Sequence, residues 1–136
     1  MLKFKFLEHT ADIKFQAFGK NLEEVFENSA FALKDVICGK KKIKGTKEKI
    51  IKIKGRDFES LMYKFLEEIL YLLDSSNFLI SKIKEIKIKD FTLKAILLGD
   101  NSKNYWFTNS VKAITYNEMF IKKRGSKWIS QVVLDV

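Results

Sequence analysis

The side chains in this sequence that could do chemistry are few and scattered. Asp12 lies inside or just before an alternating run, between Ala11 and Ile13, and Asp135 is the penultimate residue, after the apolar stretch Trp128 to Leu134. A carboxylate at the margin of a buried strand costs desolvation energy unless something positive pairs with it, so these two are candidates for a site, with exposure at a strand end as the alternative. The single histidine, His9, and the single cysteine, Cys38, could in principle form a nucleophilic dyad. Cys38, however, falls at the apolar end of a helical pattern, where a thiol is ordinary packing. With one residue of each kind, a disulfide framework and every multi-cysteine or multi-histidine metal site are excluded. Glu67 and Glu68 are adjacent on a helix and do not share a face well enough for paired acid and base work. Neither a Gly-x-x-x-x-Gly-Lys-Ser/Thr loop nor a Gly-x-Gly-x-x-Gly turn occurs, so both common nucleotide cradles are missing.

Charge is the other chemical signal. Lys and Arg total 26 against 17 Asp and Glu, and the net charge is +9. Only Arg56 and Arg124 are arginine. The excess is concentrated between Gly39 and Gly55, where eight lysines meet a single acid, Glu48. A local basic patch on an otherwise balanced chain suggests an acidic partner or a phosphate backbone; a lysine-rich and isoleucine-rich composition as such is the plain alternative. The loop Lys40 to Lys44, with Tyr105, Trp106 and Phe107 as stacking residues, is a candidate RNA contact, although those aromatics are consecutive rather than spaced along strands.

The elements that must position these groups read as an α+β alternation in one domain spanning residues 1–136. A chain of 136 residues, 46% hydrophobic and 32% charged, can bury a core of its own. Ile13, Phe15 and Ala17 alternate as a half-buried strand ending at Gly19. Asn21 is a suitable helix N-cap, with Glu24 three residues on at the position that can reach back to its backbone N–H. Leu22, Val25, Phe26, Ser29, Leu33, Val36 and Ile37 then form one stripe, ended by Gly39. Lys49 to Lys54 alternates with Ile51 and Ile53 inward, and Gly55 breaks it. Asp57 caps a second amphipathic helix whose apolar face holds Leu61, Met62, Phe65, Leu66, Ile69, Leu70 and Leu73, ending near Asp74 to Asn77. Strands are expected at 81–89, 91–98, 111–115, 118–123 and 128–134, with a hairpin at Arg124-Gly125-Ser126 and a long polar loop from Gly99 to Ser110. The apolar stretches are far too short to span a bilayer, and the start has no signal-peptide core, so a cytoplasmic protein is expected.

Several blocks of this sequence are similar to those of a known family. Phe6-Leu7-Glu8-His9-Thr10-Ala11-Asp12-Ile13, the segment from Gly19 to Ala30, Ser60 to Leu72, Val111-Lys112-Ala113-Ile114-Thr115-Tyr116 and the ending Val132-Val133-Leu134-Asp135-Val136 resemble, in order, the archease family. Asn117 stands where family members often have His, and the Lys40 to Lys44 run is unusually basic for it. The resemblance implies a mainly antiparallel sheet with two inserted helices. It also implies an accessory protein, not an enzyme, of the RtcB-type RNA ligase, promoting ligase guanylylation and multiple turnover in tRNA splicing and RNA repair. By the same resemblance Asp12, Asp135 and the terminal Val136 form a metal site, and Lys112 is a functional position.

Physically, such a set of oxygens is hard and suits Ca²⁺, or else Mg²⁺, with water filling the remaining positions, while zinc is disfavoured. His9 could orient Asp12, or it could be a structural residue near a strand start. A metal-dependent hydrolase would need a further carboxylate or base near the cation, and the sequence offers none that can be identified.

Overall fold

The computed structural model describes residues 2–8 and 11–136. His9 therefore lies outside the described residues, and its suggested role toward Asp12 with it. Among the described residues the chain forms β1 (Phe4–Leu7), β2 (Ile13–Gly19), α1 (Leu22–Cys38), β3 (Lys47–Lys54), α2 (Phe58–Ser76), β4 (Phe78–Lys89), β5 (Thr92–Asn101), β6 (Ala113–Arg124) and β7 (Lys127–Asp135). The strands divide into two antiparallel sheets, in the orders β1-β2-β7-β6 and β3-β5-β4.

Both helices begin where their caps dictate. The Asn21 side chain accepts a hydrogen bond from the Glu24 N–H at 2.9 Å, while the Glu24 carboxylate reaches past Asn21 to the Lys20 N–H at 3.0 Å. Asp57 closes a full capping box with Ser60. Gly39 ends α1 at a positive φ of 72°, which glycine adopts without strain, and Asn77 ends α2 in the left-handed helical conformation at φ 51°. The stripes then fill a common core. Phe26, Leu33 and Ile37 of α1 and Leu61, Phe65 and Leu66 of α2 are essentially inaccessible, as are Phe15, Leu93, Leu97, Val132 and Leu134 from the sheets. Leu72 joins the buried face of α2, and Leu70 and Leu73 pack only partly against it. Cys38 is fully buried among these residues, and burial pushes its thiol up, as expected for a packing cysteine.

Three differences from the periodicity reading have physical causes. The short edge strand β1 escapes a pattern search because it has only four residues; its pairing to β2, Phe4 opposite Ala17, supplies the order that its length does not. Asp90 and Phe91 both adopt positive φ, 51° and 57°, so Phe91 belongs to the tight β4–β5 turn rather than to the strand; its ring packs 5.0 Å from that of Phe58. The two runs at 111–115 and 118–123 are one strand, β6, interrupted by a bulge between Thr115 and Phe120 with Glu118 at φ 52°. Backbone groups there are satisfied from elsewhere: Gln131 donates to the Glu118 carbonyl in the bulge at 2.7 Å, and beyond it the Ile121 N–H of this edge strand donates to the Glu59 carboxylate of α2 at 3.1 Å.

Candidate functional site

The four-stranded sheet gathers one end of the chain around another. Its β2–β7 ladder closes with Ile13 opposite Leu134, and Asp12 and Asp135 are the residues next to that last pair on the two chains. On the other side of β7, Ala113 pairs with Asp135, and the Lys112 N–H donates to the Asp135 carbonyl at 2.8 Å. Lys112 thus stands beside Val136. Residues separated by more than a hundred positions in the chain meet at one sheet end because β7 is central, flanked by β2 and β6. Asp12, Asp135 and Val136 are each half-buried, whereas Lys112 is exposed.

Asp12 also lines a hollow of about 390 Å³ between the β1–β2 end and the last turns of α1. Glu8 and Asp35 share its wall, with Asn109 closing one side. Asp35 is paired with Lys34 at 3.0 Å, and the Asn109 side-chain amide donates to the Val36 carbonyl at 2.9 Å. The hollow is therefore lined by three carboxylates, Glu8, Asp12 and Asp35, the last of them paired with Lys34. Among the described residues no three His, Cys, Asp or Glu side chains are spaced to enclose a metal ion. Two carboxylates and an oxygen of Val136 would make a donor set that fits a hard cation keeping much of its water, the binding mode typical of Mg²⁺ and of open Ca²⁺ sites. It fits zinc poorly, because zinc sites are built mainly on His nitrogen and Cys sulfur, with carboxylates as occasional partners.

A second cluster lies away from this end, and the sequence reading overlooked its central residue. Asp100 is buried at the end of β5. One of its oxygens accepts from the Thr46 hydroxyl at 2.7 Å and from the Asn101 N–H at 2.9 Å, and the other accepts from the Tyr105 hydroxyl at 2.7 Å. Those hydrogen bonds, the Thr46 contribution first, hold the Asp100 carboxyl at about 2, well below its ordinary 3.8. Tyr105 accepts in turn from the Lys44 N–H at 3.0 Å. The network ties the basic loop 40–46 to the loop that follows β5, and the Lys41 ammonium adds a bond to the Trp106 carbonyl at 3.1 Å. Trp106 is 85% exposed, so the lysine loop and an open indole are neighbours. A carboxylate at the end of an apolar strand, the pattern that singled out Asp12 and Asp135, was the signal available for Asp100.

Comparison with known proteins places this arrangement in context. The model of the Archease protein family matches residues 4–136. Protein archease of Methanosarcina barkeri is 39% identical over 140 residues, covering 98% of this chain and 96% of that protein. Protein archease of Sulfurisphaera tokodaii is 38% identical over 139 residues and matches along the whole length of both. The solution structure of Methanobacterium thermoautotrophicum protein 1598 superposes with a TM-score of 0.84 at 33% identity, covering 98% of this chain and 99% of that one. The crystal structure of an archease, possible chaperone, from Thermotoga maritima gives a TM-score of 0.67 at 23% identity over 97% and 96% of the two chains, which speaks to the fold alone.

Proposed function

The chain belongs to the archease family, and from that premise we propose that it is an accessory protein of an RtcB-type RNA ligase, acting in the cytoplasm in tRNA splicing and RNA repair. It promotes guanylylation of the ligase, and so multiple turnover, with no turnover of its own. The observation that carries this reading is the meeting of Asp12, Asp135, Val136 and Lys112 at one sheet end, residues that the family resemblance marks as functional. A protein without a nucleotide cradle accelerates guanylyl transfer only by favouring a ligase conformation or completing the ligase's site. Either route requires contacts that are stronger in the transition state than at rest. The exposed Lys112 suits the second route, since an ammonium on a strand end can approach developing phosphate charge.

Asp12 and Asp135, with an oxygen of Val136, would hold a divalent cation, Ca²⁺ or Mg²⁺. When bound, such an ion neutralises the clustered acids and clamps β7 beside the start of β2. No helix among the described residues is long and apolar enough to cross a membrane, in keeping with a partner in the aqueous phase. The test is ligation by the cognate ligase with labelled guanine nucleotide, with and without this protein. Substoichiometric wild-type protein is expected to raise ligation events per ligase, and Asp12→Ala, Asp135→Ala and Lys112→Ala each to reduce the gain. Sustained hydrolysis of nucleotide or RNA by the protein alone, lost in Asp12→Ala, would make it an enzyme and sink the proposal.

A second reading, a basic RNA-binding module built on the Lys40 to Lys44 loop, draws on the contact between that loop and the exposed Trp106. Its weakness is that Lys41 already spends its ammonium on the Trp106 carbonyl. Nanomolar, sequence-selective RNA binding lost on replacing Lys40, Lys41, Lys42 and Lys44 with Ser would favour it over ligase activation.

A further inference from the structure

The outward face of the β3-β5-β4 sheet carries a charge pattern that the proposed function leaves unused. Lys52 of β3 stands directly opposite Lys94 of β5, and Lys94 stands directly opposite Lys87 of β4. Two residues along, toward the Asp90–Phe91 turn, Lys54 and Lys89 flank Thr92 in the same way. Strands lie about 4.8 Å apart and same-face residues about 6.7 Å apart along a strand, so the five lysines occupy adjoining points of one small grid. All five are exposed, and with Asp90 and Thr92 they line a single depression of about 500 Å³.

Like charges directly opposite one another destabilise a sheet. Relief on the surface is partial, with Glu67 and Glu68 of α2 sharing a hollow with Lys52 and Lys54. Glu85 pairs with Lys87 at 3.2 Å and Asp90 sits at the rim, but among the described residues no salt bridge engages Lys52, Lys54, Lys89 or Lys94. The opposite faces of the same strands account for the folding role of the sheet, with Ile51, Leu93, Ala95 and Leu97 in the core. The lysine grid is therefore not needed for packing and works against pairing, and an external polyanion converts its repulsion into attraction.

We propose that this sheet face binds the phosphate backbone of a nucleic-acid strand without reading its sequence. Phosphodiesters carry one charge per nucleotide at a regular spacing, which a regular array of ammonium groups matches. The array is entirely lysine, a compact point charge without the planar fork that arginine uses for base edges, so it positions a backbone and specifies no base. An acidic protein segment would instead engage apolar surface beside the charges; within the grid the only uncharged side chain is Thr92, and the apolar Ile50 and Ile96 lie one rung beyond it, next to Glu85, whose like charge opposes an acidic segment there.

The experiment is a fluorescence-anisotropy titration of a short labelled single-stranded RNA of mixed sequence across a salt series. It compares wild-type protein, Lys94→Gln, the triple variant Lys52→Gln/Lys87→Gln/Lys94→Gln, and the loop variant with Lys40, Lys41, Lys42 and Lys44 changed to Ser. The triple variant is expected to bind at least about tenfold more weakly and to flatten the slope of log affinity against log salt by about two, at roughly 0.7 per single-strand phosphate released. Lys94→Gln alone should show part of that loss, and the loop variant little of it. Melting of both glutamine variants should occur at or above the wild-type temperature, because a cross-strand repulsion has been removed. Unchanged affinity and slope in the triple variant would overturn the proposal. So would a loss that follows the loop variant instead, failure of the wild type to bind RNA at low salt, or tighter binding of polyglutamate than of RNA. Ligase guanylylation is read separately, so none of these results bears on the proposed activation.

Discussion

At Asp12 and Asp135 the backbone, rather than the side chains, does the positioning. Both sit one step beyond or at the last rung of a ladder, where a side chain is half-covered by protein and half in water. On the proposed reading, removing either carboxylate deletes a metal ligand from a half-buried sheet end. Asp12→Ala and Asp135→Ala are therefore expected to abolish Ca²⁺ binding in calorimetric titration while the far-ultraviolet dichroism stays that of the wild type. Undiminished binding by both variants would remove the site. Asp100 gives a contrasting case, a carboxylate whose donors are all internal. Its folded value, about 2, lies below the ordinary 3.8. The stability it adds is thus complete above the ordinary value and lost as pH falls through the folded one. Asp100→Asn should melt below wild type at neutral pH, with the gap closing as the pH approaches about 2. A gap that stays constant over that range would show that the charge is not what the network uses.

At the scale of single elements, each helix and turn tests one local rule. Replacing Asp57 by Ala removes the carboxylate that accepts from the Ser60 N–H, leaving the reciprocal bond from the residue-57 N–H to the Ser60 hydroxyl, and should cost about 1 kcal/mol in urea unfolding. Gly99 on β5 is more demanding, because a Cβ there would lie 2.3 Å from the Leu79 carbonyl oxygen and 2.7 Å from the Phe78 ring. Strand pairing of β4 and β5 cannot accept that without shifting a backbone, so Gly99→Ala should cost about 3 kcal/mol, toward the upper end for overpacking. A change below about 0.5 kcal/mol, the range of neutral surface substitutions, would mean that β4 moves aside freely. Glu59 shows one element completing another, since the helix carboxylate accepts from the Ile121 N–H on the edge strand β6.

Across the whole molecule, the charge distribution opposes the fold in a predictable way. A net charge of +9, with lysines facing one another across β3, β5 and β4, adds self-repulsion to the folded state. Screening should therefore raise the melting temperature as monovalent salt increases toward physiological strength, where charges more than about 8 Å apart cease to interact strongly. Melting that falls with salt would indicate that attractive ion pairs dominate instead. The proposed divalent cation would act differently, by binding the folded state alone. At a hundred times its dissociation constant, Ca²⁺ should stabilise wild type by about 2.7 kcal/mol and leave Asp135→Ala unmoved beyond the salt effect.

Much of this molecule was legible in its sequence because helix and strand patterns are local. The caps at Asn21 and Asp57, the stop at Gly39, the inward Ile51 and the Arg124-Gly125-Ser126 hairpin all follow from residue types within a few positions of one another. So did the family blocks, which are runs of neighbouring residues. Tertiary structure alone decided which strands are neighbours. The division into two sheets, the setting of β7 between β2 and β6, and the pairing of β1 depend on contacts between distant segments, whose register leaves no local trace. Asp12, Asp135 and Lys112 were each visible as candidates, but their meeting is a property of that strand order. The lysine row is the clearest instance. Lys52, Lys87 and Lys94 look like ordinary solvent-facing residues of three separate alternating runs, and only the antiparallel register, which aligns one pleat of each strand with the next, makes them a single charged line.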